Sequence, residues 1–160
     1  MTKEDVIELF RLCEENSIDL WIDGGWAVDA LIGEQSRPHN DLDIVIQEKD
    51  VERLRVLLGR WRFKDIPRDD TSVWNFVLGD DNGRLIDIHV IVFDEKGNGL
   101  YGPRERGKMY PAGSLAGKGV IGGKTVNCVA PEYLIKFHSG YKLDENDIKD
   151  VEALRQRFKI

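Results

Sequence analysis

Hydrophobic residues open the chain at helical spacing: Val6, Ile7, Phe10, Leu12 and Cys13 fall near a 3.6-residue period between Thr2 and Glu15, with Thr2 placed to cap the first turn. The period then changes. Leu20-Trp21-Ile22 is a short apolar run that stops at Asp23-Gly24-Gly25, after which Trp26, Ala27, Ala30 and Leu31 resume helical spacing as far as Gly33. This predicts a helix, a strand, a Gly-Gly turn and a second helix. Residues 34–40 are polar and contain Pro38, so they read as a loop, and Asp41-Leu42-Asp43-Ile44-Val45-Ile46 reads as a buried strand rich in β-branched residues. A helix from about Lys49 to Leu58 follows, with Val51, Leu54, Leu57 and Leu58 on one face.

The second half is mostly strands. Trp61 to Phe63 reads as a short strand and Ser72 to Leu78 as another, and Asp80-Asp81-Asn82-Gly83 has the chemistry of a hairpin turn leading into a long apolar strand from Arg84 to Phe93. That pair is expected to be antiparallel. Residues 94–117 are rich in Gly, Pro and charge and read as a long loop, and a small hairpin around Gly122-Gly123 joins 119–121 to 125–129. Pro131 opens a helix running to about Ser139, and Asp144 to Phe158 forms the last, with Ile148, Val151 and Leu154 on one face. Helices alternating with strands, then a β-rich middle, then helices predict an α+β fold with a mixed sheet. At 160 residues the chain is expected to form a single domain, 1–160, with a C-terminal helical segment from 131 to 160.

Charge and composition narrow the function. The formal charge of −6, from 29 acids against 23 bases with no basic tract, disfavours extended nucleic-acid binding. No membrane-length apolar run and no signal-like N-terminus occur, and Cys13 and Cys128 are isolated, so the expectation is a cytoplasmic protein without disulfides or a cysteine zinc site.

Three acids carry the candidate chemistry. Asp41 and Asp43 stand two apart on a strand, so their carboxylates share a face and converge on one ion; Mg²⁺ takes such oxygen ligands together with substrate phosphates. With 29 acids in 160 residues an acid-x-acid spacing recurs roughly five times by chance, so its place at the head of an apolar strand is what gives this pair weight. Asp87 interrupts the run Leu85-Ile86-Asp87-Ile88-His89-Val90-Ile91-Val92-Phe93, where its neighbours call for burial. If the two strands lie side by side the three carboxylates form a two-metal site; a buried Asp paired with an Arg or capping backbone amides is the alternative that residue types leave open. Gly24-Gly25, between strand and helix, lets backbone amides approach a phosphate, or is a plain turn. Arg37 and His39 offset phosphate charge or sit in a solvated loop, and Lys136 and His138 diverge by about 200° on a helix, so that only one of them faces a ligand. His89 shares the face of Asp87 as a support to the metal site or as a core histidine. Gly122-Gly123-Lys124-Thr125 is no P-loop, because the pattern requires Gly where Lys118 stands.

The run Trp21-Ile22-Asp23-Gly24-Gly25-Trp26-Ala27-Val28-Asp29 followed by Arg37-Pro38-His39-Asn40-Asp41-Leu42-Asp43 resembles the lincosamide and aminoglycoside nucleotidyltransferases of the polymerase-β-like superfamily, and the resemblance continues at Leu85-Ile86-Asp87-Ile88-His89 and Phe137-His138-Ser139-Gly140-Tyr141. It implies a nucleotidyltransferase-type mixed sheet flanked by helices, with C-terminal helices. It also implies Mg²⁺, two ions, on Asp41, Asp43 and Asp87, with Asp87 as general base, and a triphosphate, ATP by preference, held by Gly24, Gly25, Arg37, His39 and Lys136. The expected reaction is transfer of a nucleoside monophosphate to a small-molecule hydroxyl, an antibiotic first of all, with a homodimer as one arrangement. A metabolite or protein acceptor and a catalytically silent nucleotide-binding module are the alternatives.

Overall fold

The computed structural model describes the backbone of residues 1–160 and every side chain except that of residue 104. Helix α1 (Lys3–Glu15) begins where the sequence places it: the Thr2 hydroxyl accepts from the Asp5 amide and the Asp5 carboxylate accepts from the Thr2 amide, and Val6, Leu9, Phe10 and Cys13 are buried. Strand β1 (Leu20–Ile22) leads into α2 (Gly24–Ile32), and β2 (Asp41–Gln47) into α3 (Val51–Arg60). Strands β3 (Lys64–Asp65), β4 (Asn75–Gly79), β5 (Leu85–Phe93), β6 (Gly99–Tyr101), β7 (Met109–Tyr110), β8 (Gly117–Ile121) and β9 (Lys124–Cys128) precede α4 (Pro131–His138) and α5 (Glu145–Phe158). The main sheet runs β3-β4-β5-β2-β1-β9-β8, with β6 on the far end of β5 and β7 on β6. It is mixed: β2 pairs β5 and β1 pairs β9 in parallel, and the other neighbours are antiparallel. No helix among the described residues is long and apolar enough to cross a membrane.

The centre of the sheet separates core from chemistry by parity. Leu42, Ile44 and Ile46 of β2 and Ile86, Ile88 and Val90 of β5 are fully or almost fully buried on one face. Burying each such side chain contributes about 1.5–3 kcal/mol. The alternate residues, Asp41 and Asp43 on β2 and Asp87 and His89 on β5, point to the other face. The apolar parity therefore fixes the register, and a one-residue slip would drive the carboxylates into the core.

Three expectations need correction. Trp61 to Phe63 is not a strand: the amides of Trp61 and Phe63 return to the Leu58 carbonyl and that of Arg62 to Gly59, so the segment ends α3, Arg62 takes a left-handed φ of 65°, and the strand begins at Lys64. The stretch 94–117 is not one loop. Asp94 gathers the amides of Lys96 and Asn98 into a turn, and β6 then pairs back along β5 through Phe93–Gly99 and Ile91–Tyr101. Ile148 is exposed; the buried side of α5 holds Val151, Leu154 and Asp150, the last because it meets Arg37.

Asp29, buried in α2, organises the loop that delivers β2. Its carboxylate accepts from the Ser36 amide (3.0 Å) and hydroxyl (2.6 Å) and pairs with His39 Nε2 (2.5 Å). Asp29→Ala strands the buried His39 ring and releases Ser36, and should lower unfolding stability by about 2–4 kcal/mol. Urea denaturation checks this, and a loss below about 1 kcal/mol would show that the loop holds itself.

Candidate functional site

Asp43 and Asp87 are direct cross-strand partners in the parallel β2–β5 pair, with Asp41 beside Leu85 and Val45 beside His89. Side chains opposed in this way leave the sheet on the same face. Ligand atoms of Asp43, Asp87 and His89 all lie within 4.8 Å of one another, each on a half-buried residue. Asp41 projects from the same face into the adjoining cavity but stands outside this tight group.

That cavity, of about 450 Å³, is bounded by the β1–α2 corner, β2, α4 and the start of α5. Its walls are acidic: Asp23, Asp41 and Asp43 on one side face Asp144, Asp147 and Asp150 on the other, with Arg37, His39, His89 and His138 as the basic groups. Burial, then the charges of Asp41, Asp23 and Asp87, push the Asp43 carboxyl well above its ordinary value of 3.8, with Arg68 opposing. A cation supplied to this face relieves that repulsion.

The sign of the linkage follows. A carboxyl raised on folding favours the protonated native state, so its stabilising contribution is complete below about 3.8 and is lost as pH rises through the raised value. Asp43→Asn should therefore stabilise the metal-free protein at neutral pH, by about 0.5–2 kcal/mol, and flatten the fall in stability above pH 3.8. Thermal melts across pH in the presence of a chelator test this; a lower Tm for the variant at neutral pH would contradict it.

Asp87 is held from two sides. Arg68 Nη1 donates to Oδ2 at 3.1 Å, and His89 Nε2 stands 3.6 Å from Oδ1. Burial raises the carboxyl above its ordinary value, while His89 and Arg68 pull it back. His89 Nδ1 lies 2.9 Å from the Tyr110 hydroxyl, which donates to Asp23 Oδ2 at 2.8 Å. Asp23 also caps α2, accepting from the Gly24 amide at 2.8 Å.

Gly24 and Gly25 form the first residues of α2, and the space a side chain would take there is used by the protein itself. A Cβ on Gly24, whose φ is +59°, would collide with the Asp43 carboxylate; one on Gly25 would come within 2.6 Å of the His39 ring and 2.7 Å of Arg37 Nη2. The glycine pair thus lets the acidic strand and the Arg37 loop close on the helix start.

The structure brings Asp41, Asp43, Gly24, Gly25, Arg37 and His39 to one cavity, with Asp87 adjoining through Asp43 and His89. Two expectations change. His39 has both ring nitrogens engaged, Nε2 with Asp29 and Nδ1 with Arg37 Nη1 at 3.1 Å, so it braces Arg37 instead of meeting a phosphate. Arg37 in turn is tied to Asp150 of α5 at 2.9 Å. Lys136 is exposed on α4 and lies outside the cavity wall, whereas His138, two residues on, lines it.

Sequence reasoning missed the roles of Asp23, Arg68 and Tyr110. Asp23 carries a legible signal, an acid directly before a helix start, that fits a plain turn equally well. Tyr110 and Arg68 lie on a two-residue strand and a loop, where no periodicity marks them.

Comparison with known proteins gives a consistent match. The family profile described as aminoglycoside-2''-adenylyltransferase matches residues 5–154. A lincosamide resistance protein of Staphylococcus haemolyticus is 27% identical over 158 residues, covering 97% of this chain and 95% of its own. A 2''-aminoglycoside nucleotidyltransferase of Escherichia coli is 27% identical over 135 residues, 80% of this chain and 67% of its own. Among solved structures, the lincosamide antibiotic adenylyltransferase LnuA with lincomycin bound superposes with a TM-score of 0.84 at 26% identity, over 98% of each chain.

Proposed function

This chain belongs to the aminoglycoside-2''-adenylyltransferase family, and from that membership we propose that it transfers a nucleoside monophosphate from ATP or another nucleoside triphosphate to a hydroxyl of a lincosamide or aminoglycoside antibiotic, releasing pyrophosphate. It is a nucleotidyltransferase. The observation that carries the site assignment is the parallel register of β2 and β5, which sets Asp43 beside Asp87 with Asp41 on the same face.

The donor set fits a divalent cation. Ligand atoms of Asp43, Asp87 and His89 converge within 4.8 Å with Asp41 on the same face, burial and then neighbouring acids raise Asp43, and Asp87 Oδ1 is buried without a hydrogen-bond partner among the described residues. Asp41, Asp43 and Asp87 would hold Mg²⁺, as two ions. Bound there, the metal would neutralise phosphate charge and polarise the reacting phosphorus.

The protein's own groups supply the rest. The amide of Gly25 at the start of α2, where the Gly24 amide is already given to Asp23, and the positive charge of Arg37, held in the same cavity by Asp150 and His39, would meet the triphosphate. Asp87 takes the proton of the acceptor hydroxyl, whose oxygen bonds to the α-phosphorus as the bridging bond to the β-phosphorus breaks and pyrophosphate departs. Burial raises the Asp87 carboxyl above its ordinary value, which makes it a stronger base than a surface carboxylate, and the Arg68 guanidinium opposes that rise.

A lincosamide is the first acceptor to test, because the lincosamide resistance protein and LnuA match this chain end to end, whereas the match spans 67% of the E. coli aminoglycoside enzyme. The experiment is incubation with Mg-ATP and a panel of lincosamides and aminoglycosides, read by mass spectrometry. A product heavier by one nucleoside monophosphate is expected. No adduct with any member, using any of the four common nucleotides, would overturn the antibiotic acceptor.

A further inference from the structure

We propose that His89 binds the divalent metal directly through Nε2, and that Tyr110 and Asp23 fix the imidazole tautomer that makes this so. The inference rests on the metal-dependent reading above and extends it from an all-carboxylate site to one with a nitrogen ligand.

The hydrogen-bond chain places a proton on Nδ1 of His89. Tyr110 donates its hydroxyl hydrogen to Asp23 Oδ2 at 2.8 Å, so its oxygen is free to accept, and the ring nitrogen 2.9 Å away, His89 Nδ1, must be the donor. A neutral imidazole protonated at Nδ1 carries its lone pair at Nε2. The polarity is fixed from the far end, because Asp23 also accepts from the Gly24 amide and its carboxylate is an acceptor only. The ring orientation is fixed too: Tyr101 packs against the imidazole at a centroid distance of 5.4 Å.

Nε2 then faces the carboxylates. Its nearest acidic oxygen is Asp87 Oδ1 at 3.6 Å, too long for an N–H···O bond, and that oxygen is buried and has no hydrogen-bond partner among the described residues. An unprotonated Nε2 and a carboxylate oxygen at this distance are reconciled by a cation shared between them. Donor atoms each about 2.0–2.2 Å from one ion stand roughly 3–3.6 Å apart. Asp43 closes the group from the neighbouring strand, all three within 4.8 Å. A histidine that ligates a metal through one nitrogen while its other N–H is anchored by an outer partner is a recurrent arrangement, and removing such a partner weakens metal binding 10- to 100-fold.

A nitrogen donor changes the metal preference. Imidazole adds more to the affinity for Mn²⁺ and later first-row ions than for Mg²⁺, which prefers oxygen throughout. The test is pulsed electron paramagnetic resonance on the full chain with Mn²⁺ and a non-hydrolysable ATP analogue. Modulation from a directly coordinated ¹⁴N is expected in the unaltered protein, lost in His89→Gln, and Tyr110→Phe should weaken Mn²⁺ binding 10- to 100-fold. Bound Mn²⁺ with oxygen ligands alone would overturn the assignment of His89 and leave the transferase reading standing. Failure of Mn²⁺ to bind the unaltered protein with the analogue would overturn both. The unaltered protein carries the decisive signal, so a folding defect in His89→Gln leaves the result intact.

Discussion

Asp87→Asn is expected to lower the turnover of nucleotidyl transfer by about 10²–10⁴-fold, with a smaller change in KM. The substitution keeps the shape of the side chain, so Asn can still meet Arg68 at the position of Oδ2, where the carboxylate accepts at 3.1 Å. What it removes is a group able to take a proton, together with one negative charge opposite Asp43. Both losses act on the reacting complex more than on nucleotide binding, since the amides of α2 and Arg37 are untouched. Steady-state kinetics with Mg-ATP and the acceptor identified from the panel measure the effect. A variant retaining more than about a tenth of the turnover would remove Asp87 from proton transfer.

Gly24→Ala is expected to cost nearly as much, for a different reason. A residue with a Cβ is strained at φ +59°, and the new methyl would occupy the place of the Asp43 carboxylate. Either α2 shifts its first turn or Asp43 swings out. Displacing a reacting group by about 1 Å lowers rate by roughly 10²-fold, and the backbone strain should lower stability by about 1–3 kcal/mol. Activity assays beside thermal melts separate the two, and an unaltered rate would show that the close approach of Asp43 to the helix start is dispensable.

The sequence announced the central strands because their chemistry and their burial are interleaved residue by residue. Asp41-Leu42-Asp43-Ile44 and Ile86-Asp87-Ile88-His89 place acids where period-two alternation sends them to one face, and the structure pairs Asp43 with Asp87. The Gly-Gly corner and the terminal helices were legible through caps, glycines and Pro131. The rest depends on contacts across the fold. Arg37 reaches Asp150, 113 residues away, and Tyr110 reaches Asp23 across 87, and no local pattern encodes either. Strands of two or three residues, such as β6 and β7, are too short to show a period, so the tyrosines that support His89 were hidden within an apparent loop. Lys136 and His138 shared a helix, and only the packing of α4 against α5 decides that the histidine turns to the cavity.

The central claim is that Asp41, Asp43 and Asp87 form a metal-dependent centre acting at the α-phosphorus. The most direct test follows the phosphorus products of ATP in the presence of the accepted antibiotic, with and without a chelator, by ³¹P nuclear magnetic resonance. One pyrophosphate should appear for each nucleotidylated antibiotic, and both should vanish when divalent metal is removed. Formation of ADP with a phosphorylated antibiotic, or transfer that persists in the chelator, would contradict the account.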